Sequence, residues 1–149
     1  MNIRQITILI LVALGLSAHA ATPAQEKAFV ESYKKALESN DSKALAAFLS
    51  TDGAAAETIQ FFTMMQSVNA GKKIASIELV TPTAADMAKF NKPMEMPDGK
   101  KYVMPIPPTK QLVVVIEEKS GESSSKSTSK SPVAEKNGKL VIPVPVPAK

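Results

Sequence analysis

Ser42-Lys43, Ser125-Lys126 and Ser129-Lys130 each set a hydroxyl beside an amine, the two groups that serine–lysine nucleophilic chemistry uses. Neighbours along a strand point to opposite faces, so pairs at this spacing make poor catalytic geometry. Serine chemistry through a histidine base is closed off too. The only histidine, His19, and the only arginine, Arg4, fall in a segment expected to be removed, and the chain has no Cys and no Trp. Without imidazole or thiolate, carboxylates are the strong metal ligands left, and no loop carries the dense Asp spacing of a calcium site. The residue types therefore assign no catalytic group, no metal site and no cofactor.

Residues 1–20 have the form of a signal peptide: a short amino-terminal region with Arg4, an apolar run from Ile6 to Leu16, and the Ala18-His19-Ala20 ending that signal peptidase accepts. Cleavage is expected after Ala20. The apolar run is far shorter than the roughly 20 residues needed to cross a bilayer, so no membrane span is expected after cleavage. No Cys follows it to carry a lipid. A periplasmic or secreted bacterial protein is the expectation.

The remaining stretch, 21–149, is long enough for one domain with a real core, and it has no disulfides to lean on. Loss of Arg4 from the 18 basic residues leaves 17, all Lys, against 14 acids, a net charge of +3. That excess is small for a nucleic-acid partner, and the guanidinium fork that reads phosphate and guanine is missing. Lys34-Lys35, Lys72-Lys73 and Lys100-Lys101 read as solvated faces, and electrostatic attachment to an anionic cell surface has little to draw on.

The amino-terminal half is helical. Thr22-Pro23-Ala24-Gln25 has the form of a capping box, with Pro23 at the first helical position. The helix it starts carries Phe29, Val30, Tyr33, Ala36 and Leu37 on one stripe. Ser39-Asn40-Asp41 predicts a break and a cap for a short second helix with Leu45, Phe48 and Leu49. A third helix is predicted over about Ala54 to Asn69, ending near Gly71 and apolar over a wide arc that includes Ile59, Phe61, Phe62, Met65 and Val68; it is expected to be largely buried.

From Lys73 the period becomes two, with Ala75, Ile77 and Leu79 inward and Ser76 and Glu78 outward, which predicts a half-buried strand. Thr83 to Phe90 predicts one or two helical turns, and Asn91 to Lys101 a loop around a Pro97-Asp98-Gly99 turn. Gln111 to Lys119 is apolar on both faces and should be central in the sheet. The Ser- and Lys-rich stretch 120–131 reads as a hairpin turning near Ser120-Gly121 into a polar strand, and Asn137-Gly138 as a two-residue turn into a final strand from Lys139 to about Val144.

The residues 143–149 form a Pro-rich end. Leu140, Ile142, Val144 and Val146 occupy one phase of a period of two, while Pro143, Pro145 and Pro147 occupy the other. Every missing backbone donor then lies on one side, which predicts a sheet edge protected against further pairing. Met104-Pro105-Ile106-Pro107-Pro108 predicts a second such edge, and a polyproline-type tail is the competing reading.

This order of elements implies an α+β domain with the helices on one face of a curved antiparallel sheet. Tyr33 to Leu45, a helix, a small-residue-plus-Asp turn and a helix, resembles the opening of the nuclear-transport-factor-like (cystatin-like roll) superfamily. Val133 to Ile142 is similar to its closing hairpin, although Leu140 stands where that superfamily often has Trp. Two kinds of function follow, the first implied by the resemblance and the second by the residue types. One is an isomerase-like acid–base enzyme, with Tyr33 and a carboxylate such as Glu78, Asp86 or Glu117 in an apolar pocket. The other, which the polar phase of Glu78 and Glu117 favours, is an exported non-catalytic domain that binds a small apolar ligand or an envelope protein. The residues expected to line its pocket are Tyr33, Phe48, Phe62, Met65 and Tyr102.

Overall fold

The computed structural model describes residues 20–149, and the expected signal peptide lies outside the described residues except for Ala20. Helix α1, Pro23–Glu38, begins at the capping box: the Gln25 N–H donates to Thr22 Oγ1 at 3.2 Å and the Thr22 N–H to Gln25 Oε1 at 2.8 Å. Phe29, Tyr33, Ala36 and Leu37 form its buried stripe. Asn40, in the left-handed region at φ 53, turns the chain. Asp41 then accepts the Ala44 N–H at 2.9 Å to cap α2, Ser42–Ala46.

After α2 come β1 (Leu49–Ser50), α3 (Ala56–Ser67), β2 (Lys73–Val80), α4 (Ala84–Phe90), β3 (Met94–Glu95), β4 (Lys101–Val103), β5 (Lys110–Ser120), β6 (Ser123–Lys136), β7 (Lys139–Pro143) and β8 (Val146–Pro147). Two sheets result, one ordered β1-β7-β6-β5-β2 and a smaller one ordered β3-β4-β8. The fold is α+β: α1 packs on α2 and against β2 and β7, over a curved sheet whose pairings are antiparallel except for β1 with β7. The core lies between them, formed by Phe29, Tyr33, Leu37 and Leu45 from the helices and by Leu112, Val114, Ile116, Val133 and Ile142 from the strands.

The long hairpin is built by two turns of different chemistry. Gly121, at φ 61, stands first of two residues between Ser120 and Ser123, as a type II′ turn requires. Asn137 and Gly138, at φ 50 and 74, are both left-handed, as a type I′ turn requires, between Lys136 and Lys139. The polar stretch from Ser123 is thus a strand, and β5 is flanked by β6 and β2.

Several expectations give way. The second helix stops at Ala46, because Leu49 and Ser50 are drawn into a parallel pairing with Ile142 and Pro143. In β2 the register shifts between Ile74 and Ser76, a bulge that leaves Ala75 exposed and puts Ile74, with Ile77 and Leu79, against the core. Met104 to Pro108 is irregular chain between β4 and β5, so no edge strand forms there.

The final strand is not a sheet edge. Ile142 donates to the Phe48 carbonyl at 2.8 Å and Val144 to that of Ser50 at 3.0 Å, so the side away from β6 is occupied by β1. Alternate residues aim their backbone groups to opposite sides, so the donor that Pro143 withholds faces β6. Pro143 and Pro145 are fully buried, which also removes the free-tail reading. Pro147 lies apart from them in β8, opposite Tyr102, with the next N–H, that of Ala148, donating to the Lys101 carbonyl at 2.9 Å.

Candidate ligand groove

Helix α3 departs most from expectation. It packs on α2, and its side chains Met64 and Met65, with Val68 just beyond its end, are about half exposed, at 56%, 51% and 53%. An apolar helix face that no element among the described residues covers leaves a cleft beside the sheet. The cleft holds about 290 Å³ and is walled by Tyr33, Phe62 and Met65 on the helical side and by Val114, Pro132 and Ile142 on the sheet side.

Of the five residues expected to line a pocket, the groove brings together Tyr33, Phe62 and Met65. Phe48 stands behind Tyr33, edge-on to it at 5.1 Å between ring centres and to Phe29 at 5.3 Å, and faces a separate shallow groove beside Leu140. Tyr102 is 4% exposed in the small sheet and donates to Asp98 Oδ2 at 2.8 Å, next to a hollow with Phe61 and Met96.

The polar residue that periodicity does not single out is Gln66. It lines the groove, and both Nε2 and Oε1 are buried without a hydrogen-bond partner among the described residues. A buried amide left unpaired costs about 1–3 kcal/mol, so such a group calls for an explanation. A sequence signal existed: Gln66 is a carboxamide inside the apolar run of α3.

Burial pushes the Tyr33 hydroxyl up to about 12, which keeps it protonated at neutral pH, a donor and not a base. The carboxylates considered as its partners lie elsewhere. Glu78 is exposed on β2. The Thr83 hydroxyl, seconded by Lys130, holds Asp86 below the usual carboxylate range; Oδ2 accepts from Thr83 at 2.9 Å and from Lys130 Nζ at 3.3 Å. Lys73 Nζ does the same for Glu117 from 2.8 Å. The groove has no Asp or Glu among its described lining residues, and no cluster of three potential metal ligands occurs among the described residues. Tyr33→Phe is expected to fold normally, with a stability change within about 1.5 kcal/mol. Urea denaturation of the two proteins checks this, and a screen of carbonyl-bearing substrates should find equal, null turnover.

Comparison with family models, with curated proteins and with solved structures finds no match to this chain.

Proposed function

We propose that this chain is a non-catalytic binding domain, exported to the periplasm or secreted, whose groove between α3 and the sheet takes an apolar ligand. One observation carries the reading: the carboxamide of Gln66 is buried without a partner among the described residues, in a cleft whose walls are mostly apolar, with Asn69, Ser129, Lys130 and Ser131 as its other polar residues. A mostly apolar cavity with one or two convergent polar groups is the usual form of a ligand site. The amide supplies two donors and an acceptor, and Tyr33 a further donor, so the occupant has an apolar body and a polar group that pairs with an amide. Export is supported by the charged, apolar and Ala-x-Ala regions of residues 1–20. Kinship with the nuclear-transport-factor-like superfamily belongs to the same proposal, supported by the α1–turn–α2 opening and the β6–β7 hairpin.

Titration with the uncharged dye N-phenyl-1-naphthylamine tests the groove. Saturable fluorescence enhancement is expected, with at least a tenfold loss of affinity in Met65→Glu, a half-exposed position where the charge is tolerated by the fold. Absence of saturable binding, or equal binding by both proteins, overturns the proposal.

A further inference from the structure

Among the described residues, strand β6 has an open edge beside the groove. Its pairing with β5 runs without a shift from Lys110 opposite Val133 to Ser120 opposite Ser123. The two-residue turn makes Ser120 and Ser123 a hydrogen-bonded pair, so odd-numbered residues of β6 give their backbone groups to β5. Ser124, Lys126, Thr128 and Lys130 therefore direct their N–H and C=O groups the other way, and β7 occupies that side only opposite Ala134 to Lys136.

The break has a chemical cause. Because Ile142 donates to β1, Val141 faces β6, and its pair with Ala134 is hydrogen-bonded. The next such pair would set Pro143 opposite Pro132, two residues without a donor, and the ladder stops. Beyond it β7 leaves β6, and the groove opens into the gap, with Ser129, Lys130, Ser131 and Pro132 on one side and Ile142 on the other.

We propose that an extended peptide of alternating apolar and acidic residues adds to this edge as a further strand, its apolar side chains entering the groove. The inference rests on the groove reading above and names its occupant. A strand beside β6 lays alternate side chains on the core face, next to Ser127, Ser129 and Ser131, where the walls are Tyr33, Phe62 and Met65. The other side chains fall next to Lys126 and Lys130. Lys126 makes no ion pair among the described residues, and its cross-strand neighbour Glu117 is already bonded to Lys73. Lys130 is half exposed and shared with Asp86. Acids on that face meet two cations, whereas a second copy of β6 brings lysine to lysine. The Gln66 carboxamide has the donor and acceptor of a peptide group, which main-chain addition supplies in kind.

Fluorescence anisotropy with a labelled, end-blocked heptapeptide of alternating valine and glutamate tests this. Saturable binding is expected, at least tenfold tighter than for the valine–lysine counterpart. Of two versions N-methylated at alternate residues, one should lose binding and the other retain it, because only one set of amides faces β6. Thr128→Pro should weaken binding at least tenfold with an unchanged circular-dichroism spectrum. Equal binding of the two charge types, equal behaviour of the two methylated peptides, or dimerisation of the free protein by light scattering overturns the proposal. Dye binding without peptide binding sinks strand addition and leaves the groove standing; failure of both sinks both.

Discussion

Ser129→Pro is expected to lower stability by about 3 kcal/mol or more, whereas Thr128→Pro, one residue earlier, costs within about 1 kcal/mol. The two sites share a strand and a polar composition. They differ in which way the backbone donor points: Ser129 lies opposite Val114 and gives its N–H to the central ladder, while that of Thr128 faces the open edge. Pro132 already occupies the edge-facing phase, without disturbing a register that continues through Gln111 opposite Pro132. Against a typical total of about 5–15 kcal/mol, the first substitution leaves a marginal domain. Urea denaturation followed by circular dichroism compares the two. Equal losses at both positions would mean that the edge is paired in solution or that the strand register differs.

Gln66→Leu should make the ligand-free protein more stable, by about 1–3 kcal/mol, the penalty of an amide stripped of water and given nothing in return. The replacement is close in volume and removes both unpaired atoms. In calorimetry the melting temperature should rise by about 3–10 °C. The same variant should bind a fully apolar dye at least as well as the parent and lose preference for ligands with an amide-like group. A lower melting temperature would show that Gln66 has a partner in solution, and the groove reading would lose the observation that carries it.

Features set by neighbours in the chain were legible before the fold was known. The capping box at Thr22, the Asp41 cap, the Asn137-Gly138 turn and the double-faced apolarity of Leu112 to Ile116 each state their structure within a few residues. The proline phase at the carboxyl-terminal end was legible only in part: the donor that Pro143 withholds faces β6, whereas Pro145 lies outside the strands and Pro147 in the smaller sheet. That β1 pairs along the opposite side of β7 was not legible, because β1 is two residues long, has no pattern of its own, and is called into being by the edge it meets. Helix α3 illustrates the same limit. Its spacing identifies an apolar face, but whether a face is covered depends on where the sheet curves away, and Met64, Met65 and Val68 are left in the open. Phe48 and Tyr102 were drawn toward the groove by their aromatic character, yet one is held by Phe29 and Tyr33 and the other by Asp98.

The parallel seam between β1 and β7 also bears on when the domain closes. It joins residues 49 and 142, so the two halves meet across roughly 90 residues of intervening chain. At about 5–20 residues per second, a ribosome delivers the second half of the seam some 5–20 s after the first. During that interval β2, β5 and β6 emerge and give α1 part of its sheet, but the seam stays unmade until Val144 has emerged and donates to Ser50. A chaperone that keeps nascent chains open has those seconds in which to act.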